Sequence, residues 1–201
     1  MKNQKAEFRK VCFDMSRHNR YLYSKKIGDI LYKAAKPYKN ILLFIPLKNE
    51  ADIYFVLKRL RREKKNIFVP LVEGDSFKMV KYSLPLKKKK FSILEPHNKN
   101  AALEKIDLAI VPVVGIDSDF KRVGFGKGMY DRFFARLPYK PKIIFLQLRP
   151  CVSFHKVTDS HDITADEYIS FNIRRKNDGN MGYSRFFFIR SRGVFYRQKD
   201  G

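Results

Sequence analysis

Apolar positions along this chain alternate between a helical period and short continuous runs. Phe8, Val11, Cys12 and Met15 fall at i, i+3, i+4 and i+7, which predicts an amphipathic first helix. Lys5 and Arg9 lie four residues apart on its other side and project together, either as a solvated face or as a paired anion contact. Ser24 reads as the cap of a second helix whose face is Ile27, Ile30, Leu31 and Ala34, ending before Pro37. Ile41-Leu42-Leu43-Phe44-Ile45-Pro46 is the pattern of a strand covered on both faces. Asn49 is placed to cap a third helix over Ile53 to Arg62, with Asp52 in a capping-box position and Glu50 at the helix start as a dipole partner. Further strands are expected at Asn66 to Pro70, Phe77 to Tyr82, Lys105 to Pro112 and Lys142 to Leu148, with a loop at Glu95-Pro96. This order predicts an α/β fold, a three-layer α/β/α sandwich with a largely parallel central sheet. Ligands in such sheets collect at the carboxyl ends of strands, and Glu50 and the segment after Pro112 both follow strands, so they can share one crevice.

That segment carries the most pointed chemistry. After the strand and a loop from Val113 to Lys121, the run Arg122-Val123-Gly124-Phe125-Gly126-Lys127-Gly128-Met129-Tyr130-Asp131 sets three alternating glycines beside two cations. A helical pattern then begins through Met129, Phe133, Phe134 and Leu137. Glycines let a backbone approach a ligand closely, and N–H groups near a helix start favour an anion, so the run reads as a phosphate loop. Asp131 is placed to hold the magnesium that accompanies a nucleotide. The spacing excludes a Walker loop, because Lys127 is followed by Gly128 and not by Ser or Thr. It also excludes a dinucleotide fingerprint, since the chain offers G-x-G-x-G and has no acid in Phe145 to Pro150.

The stretch from Ile106 to Asp131, a hydrophobic strand ending in Pro, then Arg-x-Gly-x-Gly-x-Gly-x-Tyr-Asp-Arg, resembles the signature of the 5-formyltetrahydrofolate cyclo-ligase family. The likeness runs from about Lys5 to Ile173, which divides the chain into a cyclo-ligase-like domain (1–173) and a basic extension (174–201). Val113, Ile116, Phe120 and Met129 depart from the family pattern. The resemblance implies that ATP contacts Lys5, Arg9 and the run Arg122, Val123, Gly124, Phe125, Gly126, Lys127, Gly128, Met129 and Tyr130. It implies folate contacts at Ile45, Glu50 and Tyr130, although Tyr130 reads equally as a core ring. It assigns magnesium to Asp131 and Asp162, with Asp166 a weaker substitute, and makes Arg122 and Lys127 the catalytic cations. The implied reaction is ATP- and Mg2+-dependent closure of 5-formyltetrahydrofolate, with or without a polyglutamate tail, to 5,10-methenyltetrahydrofolate. A zinc site from His155, His161 and Asp162 lacks a second ligand cluster.

Composition changes this picture in two places. The net charge of +23, from 43 Lys+Arg against 20 Asp+Glu, invites a nucleic-acid reading, and the rival functions are such a binding protein or another ATP-dependent ligase or kinase. The charge is spread along the chain, with clusters at Arg59 to Lys65, Lys87 to Lys90 and Arg174 to Lys176, and no reading motif accompanies it, so no specific nucleic acid is expected. Cys12 and Cys151 match no paired spacing, which argues against a disulfide and for a reduced setting. The amino terminus lacks a signal-peptide core, and Ile41 to Pro46 and Ile143 to Leu146 are too short to span a bilayer. A soluble cytoplasmic protein is expected.

Overall fold

The computed structural model describes residues 2–15, 20–88, 94–96, 100–102 and 104–177. The elements are α1 (Lys2–Met15), α2 (Arg20–Ala35), β1 (Asn40–Leu42), α3 (Tyr54–Arg62), β2 (Asn66–Glu73), β3 (Ser76–Lys81), β4 (Leu86–Lys88), β5 (Leu94–Pro96), β6 (Leu108–Pro112), β7 (Gly115–Ile116), β8 (Arg122–Val123), α4 (Met129–Ala135), β9 (Lys142–Leu146), β10 (Glu167–Ser170) and β11 (Ile173–Lys176). Seven strands form one sheet in the order β11-β10-β9-β6-β1-β2-β3. Neighbours from β10 through β2 are parallel, and each edge closes with an antiparallel partner, β11 or β3. The sheet therefore continues through Arg174–Lys176, past the division placed at residue 173, while the apolar run Phe186 to Ile189 lies outside the described residues.

Alternation along the central strands divides the core. Ile41, Leu108, Ile110 and Ile144 face one side, where Leu31 of α2 and Leu57 of α3 pack. Leu42, Ala109, Val111 and Phe145 face the other, where Phe133 of α4 packs. Both faces are thus buried, which explains why β6 reads as an unbroken apolar run. The third layer is completed by α1, whose Phe8 and Cys12 form a smaller cluster with Val114, Val123, Cys151 and Val157. None of the described helices is long and apolar enough to cross a membrane.

The connection from β1 to β2 leaves on one side of β1, whereas β6, β9 and β10 build outward on the other. This places a topological switch point between β1 and β6, with a crevice above their carboxyl ends.

Several local expectations need correction. Ser24 lies inside α2; it is buried and its hydroxyl accepts the Asp52 N–H at 2.8 Å. The helix begins by Arg20, because Tyr21, Leu22 and Tyr23 extend its pattern upstream of Ser24. Neither Asn49 nor Glu50 starts α3, which begins at Tyr54 with the Asp52 carboxylate accepting the Tyr54 N–H at 3.1 Å. Regular pairing of β1 stops at Leu42, although Leu43 N still donates to Phe68 O at 2.8 Å. Glu95 and Pro96 belong to β5, paired with β4, and the expected loop after Pro112 contains a small hairpin of β7 with β8. Cys12 and Cys151 form a disulfide across 139 residues of sequence. Close spacing is not required for that bond, since α1 and the segment after β9 are brought together by the fold.

Candidate active site

The hairpin of β7 and β8 carries Arg122 into the switch-point crevice. Its guanidinium is buried: Nε donates to Pro112 O at 3.3 Å, Nη1 meets Asp131 Oδ2 at 3.2 Å, and the group lies 5.0 Å from the centre of the Tyr130 ring. Gly124 has a steric reason to be glycine, because a Cβ there would come within 2.2 Å of Arg122 Nη1. Gly128 turns the chain into α4 with φ 62°, a left-handed conformation that disfavours side chains. Arg132, one turn on, donates through Nε to Asp75 O at 2.9 Å and through Nη2 to Lys127 O, tying the loop to the turn after β2.

From the other wall α1 contributes both of its spaced cations. Lys5 Nζ reaches Asp159 Oδ2 at 3.0 Å and makes a close ion pair with Asp162 Oδ2, while Arg9 Nε donates to Gly124 O at 2.7 Å. The result is a pocket of about 220 Å³ lined by Lys5, Arg9, Arg122, Gly124, Gly126, Lys127, Gly128, Asp131, Arg132, His161 and Asp162. Lys127 is exposed at this pocket and makes no ion pair among the described residues. Asp131 Oδ1 also accepts the Ile163 N–H at 3.2 Å, which fixes its carboxylate.

Glu50 belongs to a second, narrower space. Its Oε2 accepts the Leu47 N–H at 2.8 Å, and its own carbonyl receives Arg20 Nε at 2.7 Å. With Cys12, Phe13, Val114, Phe125 and Gln147 it lines a chamber of about 20 Å³, far below the roughly 300–1,000 Å³ of pockets that hold drug-sized ligands. The Phe13 and Phe125 rings are 5.4 Å apart at its wall. Burial raises the Glu50 carboxyl from its ordinary 4.5 to about 7, against the Leu47 N–H and the Arg122 and Arg20 charges that pull it down. Tyr130 is half-buried with its ring 4.9 Å from Phe77; burial and then the Glu50 charge push its phenol up, while Arg122 opposes them.

A carboxyl raised in this way makes stability depend on pH in a known direction. Below pH 4.5 Glu50 is protonated in both folded and unfolded chains and costs nothing. Between 4.5 and about 7 only the unfolded chain releases the proton, so stability falls as pH rises, and above 7 the penalty is complete. Glu50→Gln is therefore expected to raise the melting temperature at pH 8, by up to about 3 kcal/mol of stability, and to leave it nearly unchanged at pH 4. Thermal melts at the two pH values check this, and an equal shift at both would contradict it.

Some expected residues stand apart from the larger pocket. Val123 points into the α1 cluster and its carbonyl accepts the Val114 N–H at 2.9 Å. Met129 packs with the α4 side of the core, and its carbonyl accepts Ser76 Oγ at 3.2 Å. Ile45 is half-buried on the α2 and α3 side, just beyond β1. Asp166 serves the scaffold, accepting the Ile143 N–H at 2.7 Å. The structure also adds Asp159 and Gln147, which pattern reading passed over, and sets Asp159 beside the expected His161 and Asp162. Asp159, His161 and Asp162 place ligand atoms within 4.8 Å of one another, without His155. Their signal was visible as two acids flanking a histidine. Gln147, which bonds to the Val114 carbonyl and the Tyr168 hydroxyl, had none, because a single amide after an apolar strand has no distinctive pattern.

The fold and site define an α/β protein whose glycine loop, cations and carboxylates surround an anion-sized pocket at a switch point. A family model, the 5-formyltetrahydrofolate cyclo-ligase family, matches residues 12–149. The 5-formyltetrahydrofolate cyclo-ligase of Mus musculus is 25% identical over 168 residues, 76% of each chain. That of Mycoplasma pneumoniae is 30% identical over 107 residues, 52% of this chain and 57% of the relative. Among solved structures, 5,10-methenyltetrahydrofolate synthetase from Aquifex aeolicus superposes with a TM-score of 0.74 at 25% identity, covering 92% of this chain and 98% of that one. The chain belongs to the 5-formyltetrahydrofolate cyclo-ligase family and is an enzyme of that family.

Proposed function

We propose that this enzyme converts 5-formyltetrahydrofolate to 5,10-methenyltetrahydrofolate, with ATP cleaved to ADP and phosphate. The observation that carries the reading is the pocket of about 220 Å³ in which Lys5, Arg9, Arg122, Lys127, Asp131 and Asp162 meet beside the glycine loop. Arg122, which lines it, also acts electrostatically on Glu50 of the narrower chamber and on Tyr130.

The chemistry starts from a poor leaving group. The formyl group on N5 is amide-like, and N10 cannot expel its oxygen directly. In the proposed sequence the formyl oxygen attacks the γ-phosphorus of ATP, an O–P bond forms and ADP leaves. N10 then adds to the activated carbon, the C–O bond breaks, phosphate departs and the N10 proton is lost, leaving the methenyl bridge. Such a transfer needs mainly positioning and charge compensation. Arg122, buried at the pocket wall, suits the developing charge on the transferred group; Lys127, exposed at the pocket, and Arg9, held by the Gly124 carbonyl, suit the outer phosphates. Glu50 offers a planar acceptor pair to the N–H edge of a pteridine, a role that fits keeping a carboxylate where burial opposes it. Asp131 and Asp162 fit magnesium, since hard oxygen donors facing one pocket leave its remaining positions to water and phosphate. The ion supplies charge neutralisation on the phosphates when bound.

Purified protein is expected to generate the methenyl chromophore from 5-formyltetrahydrofolate only when magnesium and ATP are both present. No chromophore at high enzyme concentration would count against the assignment.

A further inference from the structure

Two of the cations assigned to the phosphates, Lys5 and Arg122, are each paired with a carboxylate assigned to the metal. Lys5, a phosphate contact in the proposed function, binds the Asp162 carboxylate and lies 3.0 Å from Asp159 Oδ2. Arg122, the proposed charge stabiliser, holds Asp131 at 3.2 Å with both side chains almost fully buried. The Lys5 side chain is only 14% exposed, and its ammonium contacts the carboxylates of Asp159 and Asp162, whose ligand atoms lie within 4.8 Å of each other and of that of His161. It occupies the place of a cation.

These pairs have a physical cause. A carboxylate as buried as Asp131 or Asp162 is costly without a counter-charge, and the nearest cations are those that also face the phosphate space. A divalent ion arriving alone must displace the Lys5 ammonium from Asp162 and the Arg122 guanidinium from Asp131, leaving both cations facing its own charge. A nucleotide arriving alone draws the cations away but leaves two carboxylates with backbone N–H partners and no counter-charge beside its own negative charges. Only the metal–nucleotide complex offers both replacements together.

We propose, building on the ATP reading above, that Lys5 and Arg122 are stand-in cations that close the carboxylate pair against free divalent metal and transfer to phosphate when the metal–nucleotide complex binds. Metal and nucleotide affinities are then coupled, and by linkage the coupling is reciprocal. Lys5 is the decisive member, because it contacts two carboxylates of the acidic cluster.

The test uses Mn2+ as the probe, with free Mn2+ read by electron paramagnetic resonance, and requires no turnover. Wild-type protein is expected to bind no Mn2+ alone at about 1 mM and to take up Mn2+ together with ATP. Lys5→Gln is expected to bind Mn2+ without nucleotide at least about tenfold more tightly than wild type, and Asp162→Asn added to it should abolish the gain. Lys5→Met, with melting curves for each variant, replaces Lys5→Gln if that protein does not fold. Wild-type protein that binds Mn2+ alone as tightly as the variant overturns the stand-in role, as does a variant that gains nothing or keeps its gain without Asp162. Failure of wild-type protein to bind Mn2+ with ATP would instead remove the nucleotide reading, so the two failures are distinguishable.

Discussion

Replacing Arg122 with lysine is expected to lower turnover of 5-formyltetrahydrofolate by about 100-fold or more while the protein stays folded. The guanidinium performs several jobs through one planar group: it donates to Pro112 O, meets Asp131 and lies over Tyr130, with Gly124 leaving it room. A lysine ammonium keeps the charge but cannot make the forked contacts, so it would sit off the line of the transferred phosphate. The loss should appear in single-turnover rates of chromophore formation, with a smaller change in KM for ATP, because Lys5, Arg9 and Lys127 remain. Arg122→Ala should lower the rate at least as far. It should also destabilise the fold by about 3–5 kcal/mol, because the buried Asp131 carboxylate is left uncompensated. Full turnover in either variant would remove the charge-stabilising role.

The residues that made the site legible are those whose chemistry depends on local spacing. The alternating glycines and their flanking Arg122 and Lys127 lie in one short run, and Lys5 and Arg9 share a helix face, so each group could be read without knowing the fold. The α/β class with its largely parallel sheet followed from apolar runs separated by helical periods, and β6 and β9 appear close to where those runs fall. What stayed hidden depended on contacts distant in sequence. Ser24 resembles a cap until Asp52 is folded against it, and Asp162 resembles a bare metal ligand until Lys5 reaches it from α1. The basic clusters were ambiguous for the same reason. Arg59 lies 3.6 Å from the centre of the Tyr32 ring and Arg61 5.2 Å from that of Tyr82, so part of the charge that invited a nucleic-acid reading packs on aromatic faces.

The Cys12–Cys151 bond shows the limit of spacing arguments most plainly, and its position implies a large effect on reduction. It ties α1 to the segment after β9, beside a small apolar cluster around Phe8, Val114 and Val123 and the polar contacts of Lys5 and Arg9. A cross-link spanning 139 residues removes much of the freedom of the unfolded chain; in the chain-entropy account such bonds contribute about 2–5 kcal/mol. Reduction with dithiothreitol is expected to lower the melting temperature by about 5–15 °C, and to proceed slowly because both sulfurs are buried. The functional consequence follows from what α1 carries. Lys5 and Arg9 reach the proposed phosphate pocket from this helix, so under that reading loosening it should raise KM for ATP several-fold while kcat, assigned to the Arg122 loop, changes less. A Cys12→Ala/Cys151→Ala double variant should reproduce both effects without reductant. Equal melting temperatures for oxidised protein and for protein with two titratable thiols would show that the bond does not hold α1 in place.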